Sequence, residues 1–499
     1  MNSHLSLHTC PIIIIMVQLN FITQVTPSSV SFQDSIPVSL NEISIDSVDT
    51  LIDEASTQPQ STLPTELEPD TITTVDAIPP ETVSTPISSE TIEKAYFDFL
   101  TTLSAEEPKR RGKLLGRFGR STKNFSSYKL DEYNSYLNIY FPAAHSDHIQ
   151  SYIIQTLIDQ KKWDEVEIAL LKFLYLYPNS SLKPAVIGKG SQIIQNEDYY
   201  KPHRDNLLAL LGSITGQGEV QDRYFEFLST LRLSKNTRSS PIFSREARKF
   251  IELYSNIPQT SNVLMWLAEF ETTNEAYDTS FMIYQKLMIL FPSSTHFAMA
   301  KYQIGLLQQE QFNEFEEAIN TFRQFLTQFP EDTLVLDAHY RIATMTDQNL
   351  KDWTNAIVEY ETLVSRYPDA IHAIPSLFRI GEIQTGKLKQ GEKAIATLNK
   401  IASDYPDSTD HAIRALQQAG KLYEKNKAFD KAIEQYLVVH EKYPGTDGAL
   451  SSLETCATLF EKKLKMTDKT IEMLNLIVEE FPNSKNAQKA TKRLKKLEK

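Results

Sequence analysis

Six times between residues 291 and 482 an aromatic residue stands directly before a proline: Phe291-Pro292, Phe329-Pro330, Tyr367-Pro368, Tyr405-Pro406, Tyr443-Pro444 and Phe481-Pro482, with successive prolines 38 residues apart. Proline has no amide donor and its ring clashes with the preceding turn, so each pair closes a helical segment. Five equal intervals define a structural unit, and a chain built of such units is not divided into domains by length, which for 499 residues would suggest about three. Going backwards, Tyr177-Pro178 lies three periods before Pro292, and Phe141-Pro142 lies 36 residues earlier still. Two degenerate units fill 179–291, ending near Gly216 and Tyr254.

Other positions keep the same step. Twelve residues before each proline come Ser280, Ala318, Ala356, Ala394, Ala432 and Thr470, small enough for two helices to approach closely. Eleven before it stand Ile319, Ile357, Ile395, Ile433 and Ile471, and eight before it Tyr284, Phe322, Tyr360, Leu398, Tyr436 and Leu474. Small and large residues thus sit one turn apart on one helical face. Fifteen before the proline, where the second helix of each unit begins, stand Trp163, Tyr277, Phe315, Trp353 and Phe429; Gly391 and Thr467 depart from that rule. Thirteen after the proline, Gly305, Ala343, Gly381, Ala419 and Ala457 mark the close-contact point of the first helix. Turn and N-cap types follow the prolines, among them Ser293, Asp332, Asp369, Ser408, Thr446 and Ser484. Each unit is therefore turn, helix, short turn, helix, and the fold class is all-α.

These residues resemble the tetratricopeptide repeats. The small-aromatic-proline pattern of that family's second helix is matched by Ala356, Tyr360 and Pro368 and by Ala432, Tyr436 and Pro444, with a period four residues longer than the usual 34. The longer units ending in an aromatic-Pro-Asp/Asn-Ser turn are similar to those of bacterial cell-envelope proteins, the BamD-like outer-membrane assembly lipoproteins and the Tol-Pal-associated YbgF/CpoB family. The resemblance implies a right-handed α-solenoid of stacked helix pairs over 126–499, with a concave surface that binds other proteins or peptides. The segment 483–499 reads as its capping helix, with Ala487, Ala490, Leu494 and Leu497 on one face and lysines around the rest.

Charge is unevenly placed. Residues 1–93 hold 13 acids and no lysine or arginine, which leaves 51 acidic and 51 basic side chains over 94–499. An electrically balanced chain from 94 onward argues against a nucleic-acid surface. Residues 26–92, with eight prolines and many Ser and Thr, cannot bury enough apolar surface to offset the entropy of ordering and read as a disordered acidic linker. Before it, residues 1–25 carry an apolar run at 11–22 with the length of a signal-peptide core, too short to span a bilayer. That run makes export to the periplasm or cell envelope the expectation; histidines in place of Lys or Arg in the n-region and the lack of an A-x-A site speak against it and keep a cytoplasmic chain with an unstructured tail as the alternative. Over 93–125 a short helix precedes a basic, Gly-containing stretch in which Lys109, Arg110, Arg111, Lys113, Arg117, Arg120 and Lys123 have no acidic neighbour. Those side chains either dock on an anionic partner or lipid surface or form a solvated loop; membrane contact is expected only there or at the N-terminus.

Little in the sequence carries chemistry. Gly381 to Lys387 fits G-x-x-x-x-G-K but ends in Leu388 and occupies a helix, where no phosphate cradle forms. His145 and His148 flank Asp147 without a third metal ligand. Cys10 and Cys456 give neither a disulfide framework nor ligand spacing, so no cofactor and no metal are expected. Lys201, His203, Arg204 and Asp205 are the best grouping for an enzyme reading, and no nucleophile, base and orienter assemble from them. A binding reading has a periodic basis. Eleven residues after successive prolines stand the polar Gln303, Arg341, Arg379 and Gln417, beside the aromatic Tyr302, Tyr340 and Phe378. This ladder either grips an extended partner chain or is a solvent-exposed stripe.

Overall fold

The computed structural model describes residues 88–106, 121–233 and 240–497, all within one compact unit running Ser84–Lys499. Among them are twenty-one α-helices and no strand. The chain starts with α1 (Ser89–Ala105), which begins inside the segment read as linker, then α2 (Ser121–Tyr140), α3 (Ser146–Asp159) and α4 (Trp163–Leu176). The degenerate stretch supplies α5 (Lys183–Asn196), α6 (Arg204–Ser213), α7 (Val220–Leu233) and α8 (Ser240–Leu253). Regular pairs follow: α9 (Pro258–Thr273) with α10 (Tyr277–Leu290), α11 (Phe297–Leu307) with α12 (Phe315–Gln328), and α13 (Val335–Gln348) with α14 (Trp353–Arg366). The array closes with α15 (Ala373–Gly386) and α16 (Gly391–Asp404), α17 (Thr409–Lys425) and α18 (Phe429–Lys442), α19 (Asp447–Leu459) and α20 (Thr467–Glu480), and α21 (Lys485–Leu497). From α9 onward each helix packs chiefly on its sequence neighbours, which makes the fold an all-α solenoid of helix pairs. Residues 1–87, which include the apolar run and almost all of the acidic linker, lie outside the described residues.

The aromatic-proline pair stops the second helix by a single backbone device. Phe329, Tyr367, Tyr405 and Tyr443 each donate an amide to the carbonyl four residues back at 2.9–3.0 Å and then leave helical geometry near φ −130°. The proline that follows has no amide to continue the ladder. The amide three residues after the aromatic closes a turn on its carbonyl, as Ala370 does on Tyr367 and Ser408 on Tyr405, both at 3.1 Å.

Between the two helices of a unit the chain reverses through one left-handed residue, always at the same register: Glu275, Asn313, Lys351, Lys389, Lys427 and Lys465, with φ between 56° and 63°. Lys161 does the same ahead of α4. None of these is glycine, so each turn holds a strained conformation that the flanking helices over-determine. Two residues later the second helix starts, and its bounds are the same in all six regular units, including those begun by Gly391 and Thr467.

The small-large pattern is the core. Ala318, Ala356, Ala394 and Ala432 are fully buried, as are Ser280 and Thr470, and Tyr284, Phe322, Tyr360, Leu398, Tyr436 and Leu474 are nearly so. The first helix comes close at Gly305, where a Cβ would stand 2.8 Å from the Phe322 ring, closer than carbon atoms pack.

The degenerate units depart from the stack, and two register positions explain it. Where other units place a small residue, α6 has Arg204; where they place Tyr, Phe or Leu, α8 has Glu246. Arg204 cannot enter a helix contact and instead donates to the Ile194 carbonyl at 2.9 Å and the Glu197 carbonyl at 3.2 Å. Helices α6 and α7 pack far less on each other than α4 and α7 do, so the α5–α6 hairpin sits beside the stack and α7 takes its place on α4. The hairpin's two ends meet. Gly216, at φ +64°, lies so tightly against Pro178 that a Cβ there would overlap the proline ring. Arg223 then ties α7 to the end of α4, donating to the carbonyls of Tyr175 at 3.0 Å and Leu176 at 3.4 Å.

Glu246 is buried but not alone: Lys172 of α4 lies 2.8 Å away and the Tyr224 hydroxyl of α7 donates to it at 2.6 Å. Burial pushes its carboxyl up, yet the Lys172 ammonium and the hydrogen bonds win and hold it below its ordinary value. Lys249, one turn further along α8, is pushed down to about 7 by burial and by the like charge of Lys172. Its ammonium donates to the Leu137 carbonyl at 2.8 Å and to Asn138 Oδ1 at 3.0 Å, which fastens α8 to α2.

Candidate functional site

The residues singled out by periodicity fall on the first helices of successive units, and the structure places most of them in contact with neighbouring helices. Arg341 on α13 reaches back toward α11: Nε lies 2.5 Å from Asp337 Oδ2 and 3.2 Å from the Tyr302 hydroxyl, and Nη1 meets Gln309 at 3.0 Å and Glu310 at 2.8 Å. Tyr302 is buried and also bonds Asp337. Arg379 on α15 makes a two-pronged pair with Asp347 of α13, at 2.6 and 3.0 Å. Gln417 on α17 donates to the Gly448 carbonyl at 3.1 Å and to Ser451 and Ser452 of α19 at 2.9 and 3.1 Å. Three of the four polar ladder residues are thus committed to bridging adjacent first helices. Gln303 is the exception; its side chain touches Met299 Sδ, at 3.7 Å.

Of the aromatic ladder, Tyr302 and Phe378 are buried, while Tyr340 is half-buried with His372 stacked on it at 4.1 Å. Between α13, α15 and α17 the surface opens into a crevice of about 300 Å³, whose lining includes Tyr340, Phe378, Arg379, Glu382, His411 and Arg414. Arg414 is not among the residues that periodicity singles out. It is exposed, lies over the Phe378 ring at 4.5 Å, and has no ion-pair partner among the described residues. An unpaired guanidinium over an aromatic face, beside a second one that holds its own carboxylate, can take a carboxylate from a partner while the ring covers adjacent apolar atoms. The sequence carries little signal for it, because its position in the unit is not basic elsewhere: eight residues after the neighbouring prolines stand Ser376 and Ser452.

The other residues singled out from sequence have structural uses. Lys201 pairs with Asp198 at 2.8 Å, His203 with Glu167 at 3.0 Å, and Arg204 caps carbonyls as described. His145 stacks on Phe97 at 4.1 Å, and Asp147 is held by His148 at 2.8 Å and Ser180 at 2.6 Å. Gly381 lies inside α15 facing Leu398, and Lys387 stands over the Trp353 ring at 5.3 Å. Cys456 is buried, and burial pushes its thiol up to about 12. Among the described residues no group of His, Cys, Asp and Glu could hold a metal ion, and no helix is long and apolar enough to cross a membrane. Lys109, Arg110, Arg111, Lys113, Arg117 and Arg120 lie outside the described residues; Lys123 falls in the first turn of α2.

The helices that line the crevice belong to three successive copies of a recurring unit. Residues 299–332, 337–370, 376–408 and 414–446 match the family model described as Tetratricopeptide repeat. Among solved structures, the C-terminal part of a TPR repeat-containing protein from Cytophaga hutchinsonii aligns with 53% of this chain and 98% of its own at 14% identity and a TM-score of 0.33. PilW, described as a widely conserved type IV pilus biogenesis factor, aligns with 48% of this chain and 100% of its own at 11% identity and a TM-score of 0.26. MamA from Desulfovibrio magneticus RS-1 aligns with 38% of this chain and 97% of its own at 16% identity and a TM-score of 0.26. No curated protein matches the sequence.

Proposed function

We propose that this chain, a tetratricopeptide-repeat protein by the four units matched between 299 and 446, is a non-enzymatic scaffold that captures other proteins on the face formed by its first helices. The observation that carries this reading is Arg414, an unpaired cation over Phe378 at the mouth of a crevice of about 300 Å³. The occupant that fits is an extended segment bearing an acidic side chain, seated between Arg414 and Arg379, with an apolar neighbour against Tyr340. Substitution Arg414→Glu removes the cation over Phe378 but, the side chain being exposed, places no charge in the core. A peptide array probed with the wild-type chain and with Arg414→Glu is the test. Peptides carrying an acidic residue are expected to bind the variant about ten-fold more weakly, roughly the worth of one charge-assisted contact. Identical profiles would remove this face from consideration.

Placement in the bacterial cell envelope belongs to the same reading, supported by the apolar run at 11–22. Intact-mass measurement of the chain recovered from its host is expected to show loss of the N-terminal segment. An unprocessed mass would favour the cytoplasmic alternative.

A further inference from the structure

Displacement of the α5–α6 hairpin leaves a second opening, separate from the crevice at Arg414. Helix α7 packs on α4 where the next hairpin of a regular stack would lie, and α6 borders the gap without closing on α7. The wedge between the three helices is a groove of about 480 Å³. Its floor is apolar: Ile168 and Leu171 from α4, Leu207 and Leu210 from α6, and Leu231 from α7. Leu233, the last residue of α7, is exposed and extends this apolar lining.

The rim gives the groove a sign. Asp164 and Glu167, in the first turns of α4, supply two carboxylates, and the lining contains no lysine or arginine among the described residues. His203 is the one lining group that can oppose them, and it is already paired with Glu167 at 3.0 Å. Asp164 has no ion-pair partner among the described residues. A leucine-lined trough with a carboxylate at its edge that no side-chain cation pairs favours a ligand that combines bulky apolar side chains with cations one turn away.

We propose that this groove is a second docking site, which takes a basic amphipathic helical segment of a partner protein: apolar side chains fill the space between α4, α6 and α7, and a Lys or Arg pairs with Asp164. The site is independent of the crevice at Arg414, so the two can be lost separately.

The experiment uses the full chain and a fluorescent amphipathic peptide of leucine and lysine, with binding followed by anisotropy. Two substitutions at exposed or half-exposed positions, Leu233→Lys and Asp164→Lys, alter the groove without entering the core, and circular dichroism and the melting temperature verify that each variant is folded. Each is expected to weaken peptide binding at least about ten-fold, with the lysine control Val358→Lys, at an exposed position on α14 away from both openings, binding as the wild type does. Equal affinity in wild type, Leu233→Lys and Asp164→Lys overturns the proposal, as does a loss produced equally by Val358→Lys. Two further outcomes also overturn it by assigning another occupant. One is a wild-type dimer that Leu233→Lys converts to monomer, which gives the groove to a second copy. The other is peptide binding that emerges only after the seven basic residues of 109–123 are replaced by serine, which gives it to the chain's own basic stretch.

Discussion

Replacing Arg379 with alanine is expected to destabilise the array by about 3 kcal/mol, whereas replacing its partner Asp347 is expected to cost only about 1 kcal/mol. The asymmetry comes from burial. The Asp347 side chain is 0% exposed and both its oxygens are held by the guanidinium, at 2.6 and 3.0 Å. The Tyr360 hydroxyl is 3.5 Å away, too far to compensate once the guanidinium is gone. Arg379→Ala therefore strands a carboxylate in the interior, the expensive way to break a buried pair. Asp347→Ala leaves a guanidinium that is 37% exposed, retains Glu382 at 3.0 Å and can turn to water. Urea unfolding followed by circular dichroism, with hydrogen exchange of α13 and α15 to localise the loss, measures both. The double variant Arg379→Met with Asp347→Leu should recover most of the stability, because an apolar pair of similar volume removes the stranded charge. Equal losses in the two single variants would show that the pair is not buried as described. This also bears on function, since Arg379 lines the crevice: its removal tests stability first, and Arg414→Glu is the cleaner probe of capture.

The second large effect is expected at Gly216. Alanine there must hold φ +64°, which costs about 1–2 kcal/mol for an L-residue, and must also fit a Cβ against the Pro178 ring, 2.9 Å from Cγ and closer still to Cβ. Overlap of that kind adds about 1–3 kcal/mol, for a total near ~3 kcal/mol. Gly218→Ala is the control. It shares the positive φ, at +85°, but meets only Asp222 at 3.6 Å, so strain alone remains and the loss should be about 1–2 kcal/mol. Gly216→Ala should further open the base of the hairpin, seen as faster proteolysis between α6 and α7 and a lower melting temperature. If both variants lose the same amount, the contact with Pro178 contributes nothing.

Much of the fold can be read from the period, because the same few residues do the same packing in each unit. Ala356 with Tyr360 and Ala432 with Tyr436 define the buried face of the second helix, and the prolines define its end. The left-handed turn residues give no such warning, although Lys351, Lys389, Lys427 and Lys465 repeat at the same step; lysine is not a residue that signals a positive φ. Departure of the α5–α6 hairpin is marked by Arg204 and Glu246, which stand where small and large apolar residues belong. Periodicity also locates the first-helix face but not how its side chains are used. Arg341, Arg379 and Gln417 recur because they tie neighbouring helices, and a sequence cannot separate a side chain committed to its own fold from one left free for a partner. Arg414, which has no such commitment, lacks a periodic counterpart and so leaves no trace in the pattern.

The meeting of Pro178 and Gly216 makes the hairpin between them a side branch on an otherwise linear object. Helix packing along the stack passes from α4 directly to α7, with 183–213 to one side. Beyond the stem at Pro178 and Gly216 the branch returns to the stack through Tyr200 and His203, which bond the Trp163 carbonyl and Glu167 of α4. Away from those contacts its length and composition can change while the units on either side keep their phase. Here the repeat array has a place where new surface can be acquired without renumbering the rest.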